Sequence, residues 1–494
     1  MKKAVIFLVI LAVVGTGVTL FFLGNTGGRL PEPPRAGQIS DNELDPEVWG
    51  KYYPTEYDSW LETKNERPAG KTVYKKGGDK GMGTVDKLSE FPYMALLFNG
   101  MGFGVEYNEP RGHHYMMTDQ REIDQSRTKA GGACLTCKTP YAGRLVKETN
   151  GEIFKMSYAD AVNKIPEKHK DLGVSCSDCH DNSTMNLKLS KWTINEALKD
   201  INHQTLQRQE LRSAVCAQCH VTYVIPKDAE MKSTGVIFPW KGSKWGDISI
   251  ENIIKQLKSD PSYLEWKQAV TGFKLALLRH PEFEFFTRGS THFNANVSCA
   301  DCHMPYKLFG YVKASEHNVM SPLKNDMRPC IQCHTQSSEW LKDRVVQTQK
   351  RTIGLINRAG YATAVVAKLF EVAHNEQLKG KTMEVALYDQ AKDFYTEAFY
   401  RIVFLGAENS LGFHNPPEAL RIAGDSVAFA TRAEALLRQG LTKIGVDVPI
   451  QVNLELSKYI NNRGAKKLNF KPELELKDDS GVHEMMFPDK MKGL

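Results

Sequence analysis

No cysteine in this 494-residue chain is left over from a pattern. All ten fall in C-x-x-C pairs: Cys134/Cys137, Cys176/Cys179, Cys216/Cys219, Cys299/Cys302 and Cys330/Cys333. The chain also lacks a basic tract, which removes the usual sign of a nucleic-acid partner. Apart from the paired cysteines it has no simple repeat. Few stretches alternate apolar and polar residues as a half-buried strand would. The formal net charge of +6 is a weak signal by itself.

Four of the five pairs are followed at once by a histidine: His180, His220, His303 and His334. C-x-x-C-H is the pattern of covalent haem attachment, in which two thiols form thioethers and the next residue ligates the iron. Zinc held by paired C-x-x-C motifs, or a disulfide framework, is the alternative. Neither gives a reason for a histidine after each second cysteine. The first pair departs from the rule, because "GGACLTCKTP" has Lys138 where the histidine should stand. Haem propionates would bring the +6 balance closer to neutral.

The N-terminus sets Lys2 and Lys3 before an uncharged run from Ala4 to Leu23, twenty residues long. That is enough to span a bilayer as a helix, and no A-x-A cleavage pattern follows. Residues 1–24 therefore read as an uncleaved anchor, with a cleaved signal peptide as the alternative. The two lysines keep the N-terminus cytoplasmic and export the rest to the periplasm. Residues 25–45, rich in Gly and Pro, read as a linker.

Residues 46–335 hold every cysteine, and haems would supply much of their apolar core. Residues 336–440 differ. Leu341/Val345, Ile353/Ile356 and Val365/Leu369/Val372 recur at helical spacing. A second helix is predicted from about Thr382 to Leu405, with Leu387, Phe394, Ala398, Ile402 and Leu405 on one side. A third follows Asn415-Pro416-Pro417, an N-cap and first turn, and ends near Gly440. Their apolar faces serve either the core or a homodimer seam. Residues 441–494 are polar and carry no readable signal.

The chain has fourteen histidines. Four bis-His haems need four distal ligands beyond the four motif histidines. Spacing alone does not select them among His113, His114, His169, His203, His280, His292, His317, His374, His414 and His483. His169, His203, His374 and His483 lie in polar surroundings and read as surface or satisfied core residues.

One C-x-x-C-K site followed by four C-x-x-C-H sites resembles the pentahaem cytochrome c nitrite reductases, ammonia-forming oxidoreductases. The similarity covers about residues 50–440 and includes "RGHHYMMTDQRE", "CAQCHVTY", "HPEFEFF", "CADCHMP" and "GFHNPPEALR". The resemblance implies a mainly α-helical fold around five covalently bound haem c groups, with long C-terminal helices that often form a homodimer. It also implies nitrite as substrate and a membrane quinol-oxidising multihaem cytochrome as electron donor.

The resemblance gives Lys138 a role. Its amine ligates the catalytic iron from one side and leaves the other open for nitrite. The amine must be neutral to do so, against a reference pKa of about 10.4; metal binding and burial favour this. By resemblance His113 partners His220, His292 partners His334, His317 partners His180, and His414 partners His303. His114, beside His113, is the alternative in the first of these. The catalytic trio becomes Arg127, Tyr223 and His280, with Arg121 as the alternative arginine because this segment is extended by about two residues. Many family members hold a calcium ion beside the site, with a Glu before the catalytic Tyr and a Gln before the catalytic His. Here those positions are Thr222 and Arg279. A hard cation that favours carboxylates would meet a guanidinium instead. The expectation is no calcium, with Arg279 supplying the charge. Two other functions fit parts of the pattern: a multihaem electron carrier without substrate, or a reductase acting mainly on hydroxylamine or sulfite.

Overall fold

The computed structural model describes residues 39–65, 84–488 and 490. The proposed anchor and most of the linker lie outside them. Among the described residues no helix is long and apolar enough to cross a membrane.

The first part of the chain is built from short helices and turns. Two antiparallel ladders join them: β1 (Trp266–Lys267) with β2 (Lys274–Leu275), and β3 (Tyr306–Phe309) with β4 (Val312–Ser315). Three long helices follow: α1 (Ser338–Leu378), α2 (Val385–Ala407) and α3 (Pro416–Lys443). The Ser337 side chain caps α1 by accepting from Trp340 N, and Asn415 caps α3 by accepting from Glu418 N. Both satisfy a backbone donor that a helix start leaves free. Proline at the first turn of α3 loses nothing, since that N–H has no intrahelical partner. The α3 helix runs past Gly440 because Leu441 is still buried.

The buried stripe of α2 differs from the expected one. It passes through Ala391, Tyr395, Ala398, Ile402 and Leu405, while Leu387 and Phe394 sit half-buried at its margin. Tyr395 is held inside because its hydroxyl donates to Gln268 Oε1 at 2.7 Å. One hydrophobic cluster joins α1, α2 and α3 to residues 88–98 and to Ile194–Leu278, so the core is continuous across residue 335.

The C-terminal stretch is a packed strap, contrary to its featureless sequence. Arg463 is buried and donates to both Asp86 oxygens at 2.8 and 2.9 Å, and through Nε to Val105 O at 2.8 Å. Leu476 N donates to Glu90 O at 3.1 Å. His483 is 0% exposed and stacks on Tyr361. The strap therefore fixes residues 86–106, which form one wall of the cavity described next.

Candidate active site and cofactor centres

Each cysteine pair sits on a single turn, so the i and i+3 thiols share one face. Two of these turns carry their own start signal. In Ser175-Cys-Ser-Asp-Cys-His and Ser298-Cys-Ala-Asp-Cys-His, serine and aspartate form reciprocal capping boxes. His180 N, His220 N and His334 N bond back to Cys176 O, Cys216 O and Cys330 O at 2.8–2.9 Å. Lys138 N bonds to Leu135 O at 3.0 Å, so the C-x-x-C-K turn is wound more tightly.

The structure brings eight histidines into four facing pairs. Ring centroids are 6.0 Å apart for His113/His220, 6.1 Å for His180/His317, 6.2 Å for His292/His334 and 6.2 Å for His303/His414. These rings are too far apart to stack and close enough to ligate one atom between them. In two pairs the other ring nitrogen is already engaged. His180 Nδ1 bonds Met185 O, His317 Nδ1 bonds Ser315 O, His303 Nδ1 bonds Met320 O and His414 Nδ1 bonds Glu408 Oε1. That leaves Nε2 free, the arrangement of metal-ligating histidines. None of the ten cysteines is paired in a disulfide. The donor set fits haem: two thiols and one axial residue at each site, with a second imidazole facing it at four. His114 instead packs edge-on against Tyr115 at 4.8 Å. His169, His203 and His374 bond Tyr141, Glu210 and Tyr388 and face no motif histidine.

Cys333 differs from the other cysteines in its exposure. The other nine cysteines are half-buried, but Cys333 is exposed, and so is each residue from Ile331 to Ser337. The reason is its place in the chain. The Cys330–Cys333 turn ends where the backbone leaves the haem-bearing part to start α1 at Ser338. Cys333 still shares the turn with Cys330, and His334 still faces His292.

The thiols also place the sites in a row. Cys219 Sγ lies 3.7 Å from Cys137 O, which sets the first site against the third. Cys216 lies beside Cys299, and Cys302 lies beside Cys330. The third site thus adjoins the fourth, and the fourth adjoins the fifth.

A cavity of about 660 Å³ opens over the first site. Cys134, Cys137, Lys138, Arg127, Tyr223, His280 and Arg279 all line it. The Arg127 segment reaches the wall because Gly102 has no side chain; a Cβ there would collide with the backbone of Ser126 and Arg127. The Arg127 guanidinium lies 3.5 Å from the centroid of the Phe103 ring and donates to Glu106 O at 2.6 Å. Burial pulls its pKa down to about 10, and among the described residues no carboxylate pairs with it. Arg121 is paired with Asp171 at 2.5 Å and does not line the cavity.

His280 has φ of 49°, the left-handed region, which is strained for a residue with a Cβ. Burial pulls its imidazole down to about 3. Asn409 Nδ2 lies 3.4 Å from His280 Nδ1 and also donates to Glu282 Oε1. An amide nitrogen facing a carboxylate is a donor, so His280 Nδ1 accepts and Nε2 carries the ring proton. Burial raises the Tyr223 phenol, which stays protonated.

Arg279 is held by four hydrogen bonds. Nη1 donates to Glu265 Oε1 at 2.8 Å, Leu277 O at 3.0 Å and Tyr223 O at 3.3 Å, and Nη2 donates to Glu265 Oε2 at 2.5 Å. Burial works against its charge, but the Glu265 carboxylate more than offsets this and holds the guanidinium above its usual range. Glu265 precedes β1 and Arg279 follows β2, so the Trp266↔Leu275 register brings them together. Sequence reasoning missed Glu265, Glu408 and Asn409. The available signal for Glu265 was a lone acid between Leu264 and Trp266.

The sequence matches cytochrome c552 over residues 45–486. The chain belongs to the cytochrome c552 family. Cytochrome c-552 of Desulfotalea psychrophila is 31% identical over 452 residues, covering 86% of this chain and 80% of that protein. The cytochrome c nitrite reductase subunit NrfA of Nitratidesulfovibrio vulgaris is 30% identical over 449 residues, covering 85% and 83%. The solved cytochrome c nitrite reductase of Desulfovibrio desulfuricans, described with two calcium sites in its catalytic subunit, superposes with a TM-score of 0.72 at 27% identity. That superposition covers 83% of this chain and 88% of that one. The cytochrome c552 fold accounts for the helical, strand-poor architecture and for covalently bound haem c.

Proposed function

We propose that this cytochrome c552 reduces nitrite to ammonium in the 660 Å³ cavity. The observation that carries the reading is the convergence of Lys138, Arg127, Tyr223 and His280 on that one cavity. Similarity to named nitrite reductases supports it. Haem, when bound at Cys134 and Cys137, supplies electrons and a coordination position for the substrate. Lys138 would supply a nitrogen ligand to its iron. Arg127, charged and unneutralised, attracts the anion. His280 Nε2–H and the Tyr223 hydroxyl are preorganised donors for the oxygens and nitrogen of the substrate and its reduction products. Six electrons and eight protons are needed for each nitrite, and a row of haem sites meets the electron demand.

In this reading five haems are bound, and His113, His292, His317 and His414 are the distal ligands. Cys333 remains an attachment thiol, with its haem at the surface end of the row. Residues 46–335 form the haem-bearing region, 336–440 the helical region packed on it, and 441–494 the strap. The N-terminal segment holds the chain at the periplasmic face of the membrane, where a quinol-oxidising multihaem cytochrome reduces it. The α1–α3 helices supply a homodimer seam. An electron carrier without substrate would have no use for a cavity lined by an unpaired arginine. Hydroxylamine and sulfite would use the same residues.

The deciding experiment is ammonium production from nitrite by purified protein with an artificial low-potential donor. A pyridine haemochrome assay and intact mass should count five haems. Four haems with Cys134 and Cys137 unmodified would overturn the first-site assignment. Lys138→His should keep its haem but turn over nitrite more slowly, because the axial donor changes. Unaltered turnover would show that the lysine is not a needed ligand.

A further inference from the structure

The ring nitrogens that face away from the histidine pairs are not treated alike. His180 Nδ1 bonds Met185 O at 2.8 Å, His317 Nδ1 bonds Ser315 O at 2.8 Å, and His303 Nδ1 bonds Met320 O at 3.0 Å. All three acceptors are neutral backbone carbonyls. His414 Nδ1 instead bonds a carboxylate, Glu408 Oε1, at 2.6 Å. His220 also faces a buried carboxylate, but its Nδ1 lies 3.6 Å from Glu282 Oε2, an ion-pair contact longer than the His414–Glu408 bond.

Glu408 is built into its place. It is 1% exposed. Oε1 also accepts from Ser410 N at 2.9 Å, and Oε2 accepts from Ser410 Oγ at 2.8 Å and Gly412 N at 2.9 Å. Backbone N–H donors therefore point at both oxygens, which an ionised carboxylate satisfies and a protonated one does not. Ser410 Oγ in turn accepts from His414 N at 2.8 Å. The segment Glu408–His414 is thus one loop whose purpose is to hold an anion on His414 Nδ1. Charge-assisted hydrogen bonds are about twice as strong as neutral ones, and a carboxylate partner makes a ligating imidazole more basic.

We propose that Glu408 sets a reduction potential: its buried carboxylate, bonded to His414, lowers the potential of the haem between His303 and His414 below that of the haem between His180 and His317. The proposal rests on the haem reading given above. A more electron-rich axial imidazole stabilises the ferric over the ferrous state, and burial strengthens the effect because little water screens the charge. The location gives this a use. The fourth site adjoins the third through Cys299 and Cys216 and the fifth through Cys302 and Cys330. An electron does not rest on a low-potential haem there. It passes to a neighbour, which keeps charge moving along the row.

The test is a potentiometric titration of the holoenzyme followed by optical and EPR spectroscopy. Glu408→Gln keeps the shape and removes the charge. Its expected result is full haem content, retained low-spin signals, and one transition shifted upward by at least tenfold in the ferric/ferrous equilibrium, about 59 mV for a one-electron couple. The EPR signal of that haem should shift as imidazolate character is lost, while the His180/His317 haem stays in place. Full haem content with no transition moved would overturn the proposal. If Glu408→Gln does not assemble, Glu408→Asp keeps the charge on a shorter arm and should give a smaller upward shift; an unmoved potential there overturns the proposal equally. Unmodified Cys299 and Cys302 in the wild-type mass would instead remove the haem reading, and the proposal with it.

Discussion

Arg127→Ala is expected to lower nitrite turnover by about 10²–10³-fold with haem content unchanged, the usual cost of losing one preorganised donor at a reacting anion. The size follows from how the guanidinium is held. It lies on the Phe103 ring, is tied by Nη1 to Glu106 O, and has no carboxylate partner among the described residues. Burial lowers its pKa to about 10, so it is still charged at neutral pH. A half-buried arginine without a counter-ion among the described residues is costly unless an anion completes it, and the cavity is where that anion would sit. Arg127→Lys keeps the charge but loses the planar fork and the stacking, so its turnover should fall between those of Ala and wild type. Arg121→Ala is the control, because that side chain pairs with Asp171 away from the cavity. Steady-state kcat and KM on nitrite decide the matter. Full activity in Arg127→Ala with loss in Arg121→Ala would reverse the two assignments.

Local chemistry was legible in the sequence and non-local chemistry was not. The C-x-x-C spacing puts two thiols on one turn whatever surrounds it, and Asn415-Pro416 starts a helix by capping alone. Spacing says nothing of what covers a turn, so the exposure of Cys333 could not be read from its motif. The α1–α3 helices were visible because apolar spacing marks a buried face, although on α2 the buried face is centred on Ala391 and Tyr395. Tyr395 is buried by its bond to Gln268, a contact between distant segments that no local period contains. The strap was missed for the same reason. Arg463 and His483 look like surface residues until Asp86 and Tyr361 are beside them. The partner of Arg279 was invisible until the β1–β2 register brought Glu265 across from it.

That pair leads to the second large effect. Arg279→Gln is expected to destabilise the protein by about 3–5 kcal/mol, because it leaves the Glu265 carboxylate buried without its counter-charge. The loss should appear as a lower midpoint in thermal or denaturant unfolding of the holoenzyme. Activity should fall too, since Arg279 Nη1 ties Tyr223 O and Leu277 O and its guanidinium lies 4.9 Å from the Tyr223 ring centroid. Both carbonyls are thereby engaged by the guanidinium. The residue before Tyr223 is Thr222, which offers no carboxylate, and its backbone N–H is committed to Glu284 at 2.9 Å. A cation placed here would have to displace a guanidinium bonded through two nitrogens to Glu265. We therefore expect exhaustive chelation to leave nitrite turnover unchanged, and added calcium to leave Arg279→Gln unrescued while Thr222 remains. Glu265→Gln combined with Arg279→Gln removes both charges, so it should recover part of the lost stability without recovering activity. One tightly held calcium per chain, with activity lost on its removal, would show that this arginine does not stand in for the metal.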